Sequence, residues 1–248
     1  MKHLFSSAFR RITLRILLWQ IFGNLVLMGI ALAADCVPDS HIWQLMLTVL
    51  MVGSLVAGAL ALHTLIVRRL RQPAESSHFW LGGLFLGTWI ALYWLIDYLV
   101  SPLNDRASQR ASYWNSMLGP HLRTIFTYTR LLDWQGYVFQ FIICVILPAL
   151  FLPAALECAS RGWKALSNIF HIYLRWQYWL VCILAVGVCC SLGYLIDWHP
   201  PSTPTMEIFS VVLRLTGTYL VCAFVLTYVL AVTAELLARN QAMRNSAS

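Results

Sequence analysis

Five ionisable side chains lie inside or at the edges of long apolar stretches: His63, Asp97, Glu157, Asp197 and Arg214. A charge placed in hydrocarbon is costly, so each marks a functional site or a specific helix contact by default. Arg214 lies six residues past Ile208, about 9 Å along a helix at 1.5 Å per residue. Asp97 lies three residues before Val100, about 5 Å along its own helix by the same rise. An acid and a guanidinium at similar depth can form a proton site, an anion site or a gate. They can also simply lock two helices, since pairing spares both the cost of standing alone in a low dielectric. Asp97 with Arg214 is the expected intramembrane ion pair, and Asp197 is the competing acid. All three lie toward the ends of their stretches rather than at the midplane, where transport sites usually sit. That position favours the structural lock.

The other candidates read more plainly. His63 is the one histidine deep in an apolar stretch, and a bis-histidine haem would need a second one facing it. A polar helix contact is the expected role. Glu157 and Glu235 each precede an arginine by four residues (Arg161 and Arg239) and are expected to form surface i,i+4 pairs. No HExxH, GxSxG or GxxxxGK[ST] pattern occurs. No catalytic residue, metal or cofactor is expected. The seven cysteines cluster in or beside the apolar stretches, where cysteine acts as a small hydrophobe, and Cys189-Cys190 lacks the spacing of a zinc or redox motif.

The elements that must hold these residues follow from composition. Of 248 residues, 60% are hydrophobic and 11% charged, with mean hydropathy +0.70. Ordinary soluble domains are about 25% charged. So few charges cannot coat a water-soluble globule, so the chain is read as an all-α integral membrane protein, without a nucleic-acid partner despite a pI of 9.2. A spanning helix needs about 20 apolar residues. Six stretches qualify: about Ile12–Ala34, Ile42–Val67, Phe79–Val100, Gly136–Leu156, Trp176–Ile196 and Ile208–Ala234. Short alternating segments of barrel type are not seen.

Basic residues set the orientation, because short cytoplasmic loops retain them. Twelve of the seventeen fall on one side: Lys2, Arg10, Arg11, Arg15, Arg68, Arg69, Arg71, Arg161, Lys164, Arg175, Arg239 and Arg244. Both termini are therefore expected in the cytoplasm, and the basic excess also favours anionic lipid headgroups. The start resembles a secretory signal, with Ala31-Leu32-Ala33 as a small-residue site. Its apolar core from Ile16 to Ala34 exceeds the usual signal length, so retention as the first span is expected.

The whole of 1–248 is read as one polytopic membrane domain with an internal similarity. Leu95-Ile96-Asp97-Tyr98 aligns with Leu195-Ile196-Asp197-Trp198 at an offset of 100, and Glu157 and Arg161 align with Glu235 and Arg239 at an offset of 78. These matches define a hairpin repeat, 79–161 and 176–239, within six transmembrane helices arranged as three αα-hairpins. Two segments outside the spans, Pro120–Asp133 and Gly162–Arg175, interleave apolar and basic residues as interfacial helices do. Pro148 and Pro153 are expected to disturb the fourth span.

The leading functional expectation is a non-catalytic scaffold or accessory subunit of a membrane complex. The inner (plasma) membrane is its location, and the lipid bilayer, other membrane proteins or further copies of the chain are its partners. A small transporter or channel using Asp97, Asp197 and Arg214 near an outer vestibule is the alternative. A lipid-modifying membrane enzyme is third.

Overall fold

The computed structural model describes residues 2–38, 40–71, 78–163, 166–196 and 204–245, and among these residues every regular element is helical. In chain order the helices are α1 (Lys2–Arg11), α2 (Leu14–Asp35), α3 (Ile42–Leu70), α4 (Phe79–Asp105), α5 (Ala107–Met117) and α6 (Pro120–Ile125). Then come α7 (Tyr128–Phe141), a π-helical turn (Ile142–Ile146), α8 (Leu147–Arg161), α9 (Leu166–Tyr173), α10 (Trp176–Ile196) and α11 (Pro204–Asn245). Six helical stretches are long and apolar enough to cross a membrane: Leu14–Asp35, Ile42–Leu70, Trp80–Leu103, Tyr128–Arg161, Trp176–Tyr194 and Met206–Met243. The chain is a multi-pass, all-helical protein of membrane type, as composition and span length imply.

The boundaries depart from the apolar runs for local reasons. The first span starts at Leu14, because Thr13 is extended and its hydroxyl accepts the Ile16 N–H at 3.4 Å, capping α2. The residues before it form the separate helix α1. The Gln44 side-chain carbonyl closes the start of α3, accepting from the His41 N–H and the Ser40 hydroxyl, both at 2.9 Å. The amphipathic segment from Pro120 is not one helix. Phe126 ends α6, and Thr127 caps α7, which continues toward the fourth span. Pro148 cannot donate to the Cys144 carbonyl and its ring crowds that position. The ladder just upstream accordingly takes the π turn, in which Leu147 N–H reaches the Ile142 carbonyl.

Two compact units divide the chain. The first comprises Met1–Leu86 and Leu152–Ser248. In it α2 packs along α3, and α11 packs against α1, α2, α3, α9 and α10. Its core is concentrated at one end, where Leu4 and Ala8 of α1, Ile66 and Leu70 of α3, Ala155 and Leu156 of α8, Ile172 of α9, and Val232 and Leu236 of α11 are all buried. Away from that end the helices present apolar side chains outward, among them Val26, Leu32, Leu50 and Leu213. Gly82 allows α4 to sit tight against its neighbours: an added Cβ would fall 2.7 Å from Ala159 Cβ and 3.0 Å from Thr64 Cγ2.

The second unit is Gly87–Phe151. There α5 packs on α7 through buried Ala107 and Ala111. Gln135 donates to the Ala107 carbonyl at 3.4 Å, and Asn115 donates to the Phe126 carbonyl at 2.9 Å.

Candidate functional site

The buried end of the first unit carries the densest set of charges in it. Arg71 caps the C-terminus of α3 and is buried. Its Nε donates to Glu157 Oε2 at 2.9 Å, and its Nη2 donates to Glu157 Oε1 at 3.4 Å and to Gln241 Oε1 at 3.0 Å. Arg161, one turn along α8, lies 3.6 Å from the same carboxylate. Glu157 itself is only 1% exposed. The expected i,i+4 pair is therefore present, but its acid is not at a surface. The small residues around Glu157, among them Ala154, Ala155 and Ala159, let α8 pack so closely that its acid is enclosed.

Glu235 on α11 has a parallel set of partners. Arg239 supplies the i,i+4 contact at 3.0 Å, and Arg11 from the end of α1 reaches the other carboxylate oxygen at 2.8 Å. Arg11 also donates to the Leu70 carbonyl at 3.1 Å, satisfying an acceptor at the end of α3. Arg239 donates back to the His3 carbonyl and the Ser7 hydroxyl of α1, each at 3.0 Å. The two glutamates that align at an offset of 78 thus share one pattern. Each is gripped by the arginine four residues on and by a second arginine from a distant element.

Two carboxylates and four guanidinia here join α1, α3, α8 and α11. Charge-assisted and partly bidentate bonds of this kind are strong and geometrically specific. The arrangement fastens these helices to one another through side chains far apart in the sequence. Sequence reasoning recognised only the local half of it. Arg11 and Arg71 were legible as basic residues at span ends, but their partners lie 224 and 86 residues away.

Of the five residues singled out in the sequence, Glu157 lies in this cluster. Asp97 is exposed on α4, within the second unit. Arg214 is buried on α11 in the first unit, where its Nε donates to the Ser210 carbonyl at 3.2 Å and its Nη1 to the Ile196 carbonyl at 2.9 Å. It therefore ties α11 to the end of α10. Asp197 lies outside the described residues. His63 is half-buried, and its Nδ1 is 2.8 Å from the Ala59 carbonyl, one turn back on its own helix. Among the described residues no group of three or more His, Cys, Asp or Glu side chains is placed to hold a metal ion.

Tyr173 in α9, outside the spans, sits beneath neighbouring elements. Burial, and then the nearby Cys158, push its phenol up to about 12. Comparison of the chain with family models, with curated proteins and with solved structures finds no match.

Proposed function

We propose that the chain is a multi-pass protein of the cell's inner (plasma) membrane. It acts as a non-catalytic scaffold or accessory subunit of a membrane complex. In this reading both termini are cytoplasmic and the six spans form three helical hairpins, two of them, 79–161 and 176–239, related by repetition. One observation carries it: Glu157 and Glu235 are each held by two arginines, and these contacts join four helices. The wide apolar faces of the remaining helix lengths then serve lipid and partner helices.

Purification from native membranes in a mild detergent tests this reading. Stoichiometric co-purifying chains are expected. A monodisperse assembly of this chain alone would overturn the subunit role, and a Soret band in its absorbance spectrum would overturn the expectation that no haem binds.

A transporter or channel is the second reading, favoured by one observation: a buried arginine, Arg214, lies within an apolar helix. In this reading Arg214 serves the transported ion, and Asp97 and Asp197 remain its candidate acids from the sequence. Asp97→Asn and Arg214→Gln would then each abolish activity, and exchanging the two charges would restore folding without activity. If the exchange restores both, the residues are structural.

A further inference from the structure

At the same end of the first unit, four arginines surround a cavity of ≈ 340 Å³ that the ion pairs described above do not neutralise. Arg10, Arg11 and Arg15 come from the α1–α2 junction, and Arg69 comes from α3. Arg11 is committed to Glu235. Among the described residues, no carboxylate lies within 4.0 Å of the Arg10, Arg15 or Arg69 guanidinium. Two of these cations share one ring, with Arg15 at 4.8 Å and Arg69 at 5.9 Å from the Trp19 centroid. Like charges gathered around one indole repel each other unless an anion sits among them. Thr13 and the first turn of α2 face the same cavity, adding the positive end of a helix dipole.

Arg15 and Trp19 also line a second cavity of ≈ 720 Å³, which runs along α2 and α3 between Leu18, Phe22, Gly23, Leu62 and Leu65. Apart from Arg15, its lining is apolar or aromatic. A basic cup and an apolar groove thus adjoin, with one arginine and one tryptophan common to both linings.

We propose that this adjoining pair of cavities binds an anionic phospholipid drawn from the bilayer, its phosphate among Arg10, Arg15 and Arg69 and one acyl chain along the groove. A basic pocket between spanning helices suits such a headgroup, and indole favours the level where headgroup meets chain. A soluble phosphate would fill the cup but leave the groove empty. A zwitterionic lipid would bring its own cation against the arginines. The site depends on the membrane-spanning fold alone and is independent of the scaffold reading.

Native mass spectrometry of the full chain in detergent, titrated with dioleoyl-phosphatidylglycerol or dioleoyl-phosphatidylcholine, tests the site. One molecule of phosphatidylglycerol is expected to bind with clear preference. Arg15→Gln with Arg69→Gln should weaken that binding roughly thirtyfold and leave phosphatidylcholine unchanged. Arg15→Lys with Arg69→Lys, which retains the charge, should keep most of the affinity. Arg123→Gln with Arg130→Gln, in the second unit, should have no effect. Equal binding of the two lipids by the unaltered chain would overturn the proposal, even if the glutamine variant fails to fold. So would an undiminished preference in the glutamine variant, or complete displacement of the lipid by inorganic phosphate.

Discussion

Glu157 is where a single side chain matters most. It is enclosed by α8's small residues and bonded by Arg71 from α3. A buried pair contributes little beyond what well-packed apolar residues would, yet breaking it from one side leaves an uncompensated buried charge. Glu157→Gln is therefore expected to cost about 3–5 kcal/mol, read as a lowered thermal midpoint in detergent. Arg71→Met combined with Glu157→Leu should recover most of that loss, and a double variant as unstable as the single one would show that the pair is needed as a pair. Gly82 gives a second test. Gly82→Val forces a side chain into Ala159 and Thr64 and should cost about 1–3 kcal/mol. Gly29→Ala, where nothing lies within 4 Å, should be neutral or gain up to about 1 kcal/mol. The i,i+4 halves of the glutamate clusters were legible because a helix puts such residues side by side. The halves supplied by Arg11 and Arg71 were not, because nothing in a linear pattern says which basic residue at a span end will meet which acid.

At the scale of elements, the spans were readable and their ends were not. Hydrocarbon thickness sets a minimum apolar length, so six runs stand out, but helices do not stop where hydrophobicity stops. At 42 residues α11 is roughly 63 Å long, about twice the hydrocarbon core. Its polar continuation past Ala234 is held by Arg11 and by α1. In the sequence the amino-terminal segment stands out only for its basic residues, whereas it is a helix whose Leu4 and Ala8 are buried and whose Arg11 and Ser7 bond to α11. Ten residues with four charged or histidine side chains carry too little apolar signal to announce that packing. If α1 is docked in this way, Ala8→Gln, which has no room to be buried, should loosen it. Limited trypsin digestion of the variant should then cut after Arg10 or Arg11 several-fold faster than in the unaltered protein; an unchanged rate would mean that Ala8 does not hold the helix.

For the molecule as a whole, orientation is the property that composition suggests and that fusion reporters can check. Reporters active only in the cytoplasm should work at both ends of the chain, and a reporter placed at Ser108 in the 101–135 segment should not. The opposite pattern would overturn the proposed orientation. The two glutamate clusters also impose an order on synthesis. Arg71 is made 86 residues before Glu157, and Arg11 is made 224 residues before Glu235. At about 5–20 residues per second, the first arginine waits roughly 4–17 s for its partner and the second roughly 11–45 s. The clasp between α3 and α8 can therefore shut before α10 and α11 have left the ribosome. The clasp between α1 and α11 closes only after Glu235 has been made, so α1 waits far longer for its acid than α3 does.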